Sequence, residues 1–248
     1  MQVEFTFLIQ VAKNVRHSIK IHERLSTMRI TRSKGKSMSE HAYEELKRMI
    51  LHLHIKPGEH IQEERITELL GCSRTPVREA LRKLNIEGLV TIYPSSHSEV
   101  TYFDDNSIRR IGELRLAQDV LSCQLAILYG SNYDFAKLTD LTKKCEASAK
   151  DGNIYERIVF DNRFHLEIAK IGGNELLYRN QEKLYMKVHL IQISRYTNIE
   201  DSLEQISIHY DIIKALYERN YNKIRKLTCL HLKNFYSIQQ NIIDMYML

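Results

Sequence analysis

Apolar residues recur at helical spacing through most of this chain, with one short interruption. Tyr43, Leu46, Ile50 and Leu53 are three and four positions apart, which predicts a helix from near Ser39, its candidate cap, to His52. Lys56-Pro57-Gly58-Glu59 reads as a turn, and Glu63 to Leu70 has the length and apolar phase of a short second helix. Gly71-Cys72 breaks that phase. A third helix opens at Ser73-Arg74-Thr75-Pro76, where Ser73 or Thr75 can cap it and Pro76 falls in the first turn, a position that needs no N–H. Val77, Leu81 and Leu84 form its apolar stripe, while Arg74, Arg78, Arg82 and Lys83 project elsewhere. Two short β-prone pieces, Val90 to Tyr93 and Glu99 to Phe103, then flank a polar tip and predict a hairpin.

From Asp104 onward strand signals and proline cease. Helical segments are predicted near Asp105–Tyr129, Asp134–Lys150, Ile154–Lys170, Asn174–Thr197, Ser202–Arg219 and Tyr221–Met247. Gly130, Asp151-Gly152, Gly172-Gly173 and Asn220 punctuate them. The fold class is therefore mainly α: an N-terminal winged helix-turn-helix over residues 38–103 and a C-terminal all-α helical bundle over 104–248. In a helix-turn-helix the start of the second helix enters the major groove. Arg74, Thr75 and Arg78, with Ser73 at the helix start, would meet base edges and phosphates there. The alternative for the same pattern is a helical hairpin with a solvated basic face.

Composition sharpens parts of this picture. Only nine Gly and three Pro in 248 residues suit long helices. No apolar run approaches the ~20 residues of a membrane helix. The opening MQVEFTFLIQVA carries Glu4 and no basic leader, so no signal peptide is expected. Four well-separated cysteines, Cys72, Cys123, Cys145 and Cys229, suit reduced thiols and a cytoplasmic location. The net charge of +5 is modest, but its placement matters. Between Lys13 and Lys36 the only acid is Glu23, so residues 1–37 read as a basic arm ending in a solvated linker. Translation from Met28 or Met38 would leave most or all of it out.

The bundle contains polar residues in apolar seams. Ile158, Asp161, His165 and Ile168 share one seam. Ile206, His209, Ile212-Ile213 and Leu216 share a second, and Ile224, Leu227, His231 and Phe235 a third. One carboxylate and three imidazoles thus point inward from three helices. Each histidine alone is read as a hydrogen-bonded core residue, but a shared divalent cation would satisfy all four side chains at once. His41, His52, His54, His60, His97 and His189 show no such grouping and are read as surface or local residues.

Two stretches carry a family resemblance. The run Ser73-Arg74-Thr75-Pro76-Val77-Arg78-Glu79-Ala80-Leu81, followed by Leu84 and Glu87-Gly88-Leu89-Val90, closely resembles the signature of GntR-type transcriptional regulators. Asp161-Asn162-Arg163-Phe164-His165, Gly173-Asn174, His209 and His231 resemble the FCD effector domain of the FadR branch of that family. The resemblance implies a divalent ion, Zn²⁺, Ni²⁺ or Mn²⁺, held by Asp161, His165, His209 and His231. It also implies a small organic-acid effector. Arg115 matches the family's first-helix arginine as a carboxylate partner, and Arg195 is a second inward candidate; Arg115 could equally bridge to Asp119 one turn on. The wing departs from the family pattern of a basic residue and a Gly at the tip, having Ser96 and His97, which leaves His97 as the wing's candidate DNA contact.

The function these features predict is a homodimeric regulator of a double-stranded DNA operator, repressing or activating, controlled by a small carboxylate, with no membrane partner. Two other classes fit parts of it: a metal sensor without organic effector, and a metal-dependent enzyme acting on hydroxy acids. Against an enzyme stand the absence of a further acid or base near the quartet and the attached DNA-binding domain.

Overall fold

The computed structural model describes residues 37–195 and 199–247, without the side chains of 199–201. All of the basic arm except Ser37 lies outside the described residues. These form ten helices and one two-stranded sheet, and they divide into two compact units between Tyr102 and Phe103.

The first unit contains α1 (Met38–Leu51), α2 (Glu63–Leu70), α3 (Arg74–Glu87), β1 (Val90–Ile92) and β2 (Ser98–Val100). Ser37, rather than Ser39, caps α1: its hydroxyl accepts the Glu40 N–H at 3.1 Å. The Ser39 hydroxyl is occupied by Glu79. Leu53 does not extend the α1 stripe, because the helix ends at Leu51 and Leu53 turns the chain with φ 57°. α1 packs on α3 around Leu46, Met49, Ile50, Val77, Leu81 and Leu84, all essentially inaccessible. Between α2 and α3, Gly71 adopts φ 60°, the left-handed conformation that a side chain disfavours. Ser73 stands at the α3 N-cap with extended backbone, yet its side chain makes no capping hydrogen bond. β1 and β2 pair antiparallel with Val90 opposite Val100 and Ile92 opposite Ser98. The second strand stops at Val100, short of Phe103.

The second unit contains α4 (Asp105–Tyr129), α5 (Asn132–Lys150), α6 (Ile154–Ile171), α7 (Glu175–Arg195), α8 (Ile199–Tyr217), α9 (Tyr221–Tyr236) and α10 (Gln240–Met247). α5 starts earlier than expected because Ser131 and Asp134 form a reciprocal capping box. The last predicted helix is two helices. Ser237 takes φ 50° and closes α9, and the chain folds back so that Ile238 and Ile243 bury beside Tyr236. Phe135, Phe164, Ile168, Ile212, Leu216 and Ile224 belong to one core cluster. Ile108, Leu116, Ile191, Leu232 and Tyr236 belong to another. Each such side chain stabilises by roughly 1.5–3 kcal/mol relative to exposure.

α4 and α9 approach closely at Gly112, where an added Cβ would lie 2.2 Å from Tyr236 Cβ. Gly112→Ala is therefore expected to destabilise by roughly 1–3 kcal/mol through overpacking, more than the ~1 kcal/mol that alanine gains in helix propensity. Thermal melting would check this; an unchanged or raised midpoint would show that the two helices can separate freely.

Cys123, Cys145 and Cys229 are buried and Cys72 is partly exposed, none of them in a disulfide. Burial pushes the Cys123 and Cys145 thiols up to about 12. Among the described residues no helix is long and apolar enough to cross a membrane.

Candidate functional site

Asp161 and His165 sit one turn apart on α6, His209 comes from α8 and His231 from α9. All four are buried, and their potential ligand atoms lie within 4.8 Å of one another. The Nε2 atoms converge: His231 Nε2 is 3.1 Å from that of His165 and 3.3 Å from that of His209. His209 Nε2 is also 3.4 Å from Asp161 Oδ1. The Phe164 ring stacks on His209 at 4.1 Å, which fixes the imidazole plane.

A second set of buried side chains orients the first. His165 Nδ1 faces Asp119 Oδ2 at 3.4 Å, which directs Nε2 toward the centre. Gln192 donates to Asp161 Oδ2 at 3.0 Å and so leaves Oδ1 for the centre. Asp119 also accepts from Tyr185 at 2.8 Å, Gln181 at 2.8 Å and Arg115 at 3.2 Å. Arg115 donates to the Tyr236 hydroxyl at 3.0 Å, and its Nη2, 3.9 Å from Asp161 Oδ2, has no hydrogen-bond partner. Arg157 lies below Asp161 on the same helix face at 3.9 Å. Arg115 makes the one-turn bridge to Asp119, and its Nη2 faces Asp161 of the quartet. Arg157, Gln181, Gln192, Tyr185 and Tyr236 were not singled out by sequence. Only Arg157, four residues before Asp161, carried a spacing signal.

The electrostatics favour neutral imidazoles around an ionised aspartate. Burial pushes His165 and His231 well below the ordinary histidine range; the neighbouring charge of Arg115 adds to it at both, and that of Arg157 at His231. Burial lowers His209 to about 4. Burial alone would raise the Asp161 carboxyl, but Arg157, the histidines and Arg115 overcome it and hold the group well below the usual carboxylate range. The centre contains two arginines against two aspartates, Asp119 and Asp161. It nonetheless leaves Asp161 Oδ1, His209 Nδ1 and His231 Nδ1 without hydrogen bonds. Three converging Nε2 atoms of neutral imidazoles with the unmet Asp161 Oδ1 make a three-nitrogen, one-oxygen donor set that fits a borderline divalent ion such as zinc.

Arg195 does not point inward. Its side chain is exposed and pairs with Asp105. It nevertheless lines a cleft of about 560 Å³ whose wall includes His231, Asn234 and Phe235. His189, read as a surface or local residue, is buried, as is His41. His60 and His97 were read as ungrouped, but together with Glu99 they form a cluster on the wing.

On the first unit Ser73, Arg74, Thr75 and Arg78 are exposed at the start of α3. Arg74 pairs with Glu64 at 3.0 Å and Arg78 with Glu63 at 2.8 Å, so acids of α2 cover both guanidiniums. His97 lies at the wing, stacked on Tyr93 at 4.7 Å.

A winged helix-turn-helix joined to an all-α unit with a buried polar centre is the architecture of a transcription regulator. The chain belongs to the GntR family: residues 38–100 match the model of the bacterial regulatory proteins of the gntR family, and residues 110–234, half of the chain, match the FCD domain. The HTH-type transcriptional regulator YdhC of Bacillus subtilis is similar at 26% identity, over 76% of this chain and 85% of YdhC. The HTH-type transcriptional repressor RspR of Escherichia coli is 23% identical, over 79% of this chain and 86% of RspR. The solved structure of E. coli McbR/YncC shares the fold, with a TM-score of 0.70 at 21% identity, covering 85% of this chain and 99% of that one. The protein is accordingly a transcriptional regulator and not an enzyme.

Proposed function

We propose that this regulator binds its operator as a cytoplasmic homodimer and is controlled by a small carboxylate through a divalent ion in the second unit. Ser73, Arg74, Thr75 and Arg78 read the DNA, with His97 contributing from the wing. Asp161, His165, His209 and His231 hold the ion, Zn²⁺, Ni²⁺ or Mn²⁺. The observation that carries this reading is the buried quartet, its Nε2 atoms converging beside the unmet Asp161 Oδ1. When bound, the ion supplies a Lewis-acidic centre for an anionic ligand. It also tips an otherwise charge-balanced pocket to positive, which favours a carboxylate. Arg115 Nη2 is the buried donor nearest that centre, and Arg195 stands at the cleft beside His231. Leu114, Leu121 and Leu128 are exposed at seven-residue spacing along α4, the stripe expected of a face that pairs with a second copy. RspR is by its name a repressor, and the same sign is assigned here.

A thermal-shift screen of small carboxylates, run on ion-loaded and stripped protein, tests the reading. At least one carboxylate should raise the melting temperature of the loaded protein and weaken its hold on the DNA upstream of its own gene. Equal shifts in loaded and stripped protein would break the link between ion and effector. The basic arm is proposed to add phosphate contacts. A chain starting at Met38 should then keep its sequence preference and show a shallower salt dependence of DNA affinity; loss of discrimination instead would mean that the arm reads bases.

Ion affinity should depend on pH in a particular window. Protons compete with the ion for imidazole nitrogen. At His209 the folded pKa is lowered from 6.5 to about 4, so the ring stays neutral well below the ordinary histidine range. Affinity should therefore persist as pH falls through 6.5 and be lost toward 4. Zinc competition titrations across that range would check this, and a steep loss beginning at neutral pH would contradict it.

A further inference from the structure

The wing carries a second constellation that the effector domain does not explain. His97, immediately before β2, pairs its carbonyl with the Tyr93 N–H at 2.8 Å, and Glu99 follows two residues on within the strand. The segment before α2 runs beside β2 and places His60 opposite Glu99 in an antiparallel bridge. The Ile61 N–H donates to the Ser98 carbonyl at 2.8 Å and the Val100 N–H to the Glu59 carbonyl at 3.0 Å, so main chain fixes this pairing. Glu99 Oε2 is 3.5 Å from His97 Nε2 and 3.9 Å from His60 Nε2. The other faces of these groups are already engaged. Ser96 Oγ lies 2.8 Å from His97 Nδ1, and the Tyr93 hydroxyl donates to Glu99 Oε1 at 3.0 Å. Two imidazole nitrogens and one carboxylate oxygen thus lie within 4.8 Å of one another.

We propose that His60, His97 and Glu99 form a second divalent-cation site, on the wing, with coordination positions left open to solvent. Around zinc, donor atoms at about 2.0–2.2 Å from the ion stand roughly 3.3–3.6 Å apart, close to the spacings already present. The His60 and His97 rings stack at 3.9 Å, so His60 must tilt out of the stack to aim its nitrogen. With a side chain 62% exposed it is free to do so. The ion has a consequence for DNA, which rests on the proposed function. From Val90 to Phe103 the chain has no lysine or arginine. A doubly charged ion beside one carboxylate would give this wing a net positive charge, and its open positions suit a phosphate oxygen.

Equilibrium dialysis of the full chain with zinc tests the site. The His60→Ala/His97→Ala variant should take up one ion fewer per chain than the parent, whatever number the second unit binds. A His52→Ala/His54→Ala variant controls for surface histidines in general and should match the parent. His60 is exposed and His97 partly so, and equal melting of the double variant and parent without metal would verify folding. Equal zinc uptake by parent and double variant overturns the site, and so does equal loss in the two histidine variants. With mixed-sequence duplex DNA, zinc should strengthen binding by the parent more than by the double variant. An identical zinc response overturns the role on DNA while leaving the dialysis result to judge the site.

Discussion

Removal of the ion proposed at the quartet by a chelator is expected to lower the melting temperature by roughly 8–16 °C. An ion present at a thousandfold excess over its dissociation constant stabilises by about 4 kcal/mol, and each kcal/mol moves the midpoint by roughly 2–4 °C in a protein of this size. His209→Ala should reproduce most of this loss, because it removes a donor and leaves Asp161 Oδ1 facing no partner at 3.4 Å. The same variant should no longer respond to carboxylates, yet should bind DNA in their absence, since α3 belongs to the other unit. His97→Ala should leave the carboxylate response intact. If His209→Ala and the stripped protein melt like the parent, the quartet is polar core and no ion resides there.

The second large effect concerns the reading head. Arg74→Ala and Arg78→Ala should each cost roughly 5- to 150-fold in operator affinity where the side chain reads a base. The double variant should fail to discriminate operator from mixed sequence. Both side chains are exposed, so folding should be unaffected. Their partners Glu64 and Glu63 make a converse test. Exposed ion pairs contribute little to stability, but they must open before phosphate can take their place. Glu63→Gln/Glu64→Gln should therefore tighten DNA binding with no change in melting. Full operator binding by the double arginine variant would remove α3 from the interface.

Much of this architecture was legible in the sequence because it rests on local rules. Gly71 marks the turn before α3, and the seams through Asp161, His165, His209 and His231 follow from the helical repeat alone. What escaped depends on which helices lie side by side. Gln192, which donates to Asp161, and Tyr185, which donates to Asp119 behind His165, come from positions whose seams give no sign of it. Ser237 looks like any polar residue inside a helix, and only the burial of Ile238 and Ile243 explains why the chain bends there. Arg195 sits at the end of α7, where periodicity still suggests an inward position, but Asp105 holds it outside. The wing cluster was missed for the same reason: His60 precedes α2 by sequence and meets Glu99 only through strand pairing.

The cysteines give the molecule an uneven chemical reactivity. With thiols held at about 12, Cys123 and Cys145 expose on the order of one thiolate in 10⁵ at neutral pH, and their burial blocks reagents as well. Cys229 is buried too. Cys72, partly exposed in the turn between Gly71 and Ser73, is left as the thiol that a maleimide would reach first. A fluorophore attached there would sit two residues from Arg74, so one label on the native chain would report operator binding without any engineered cysteine.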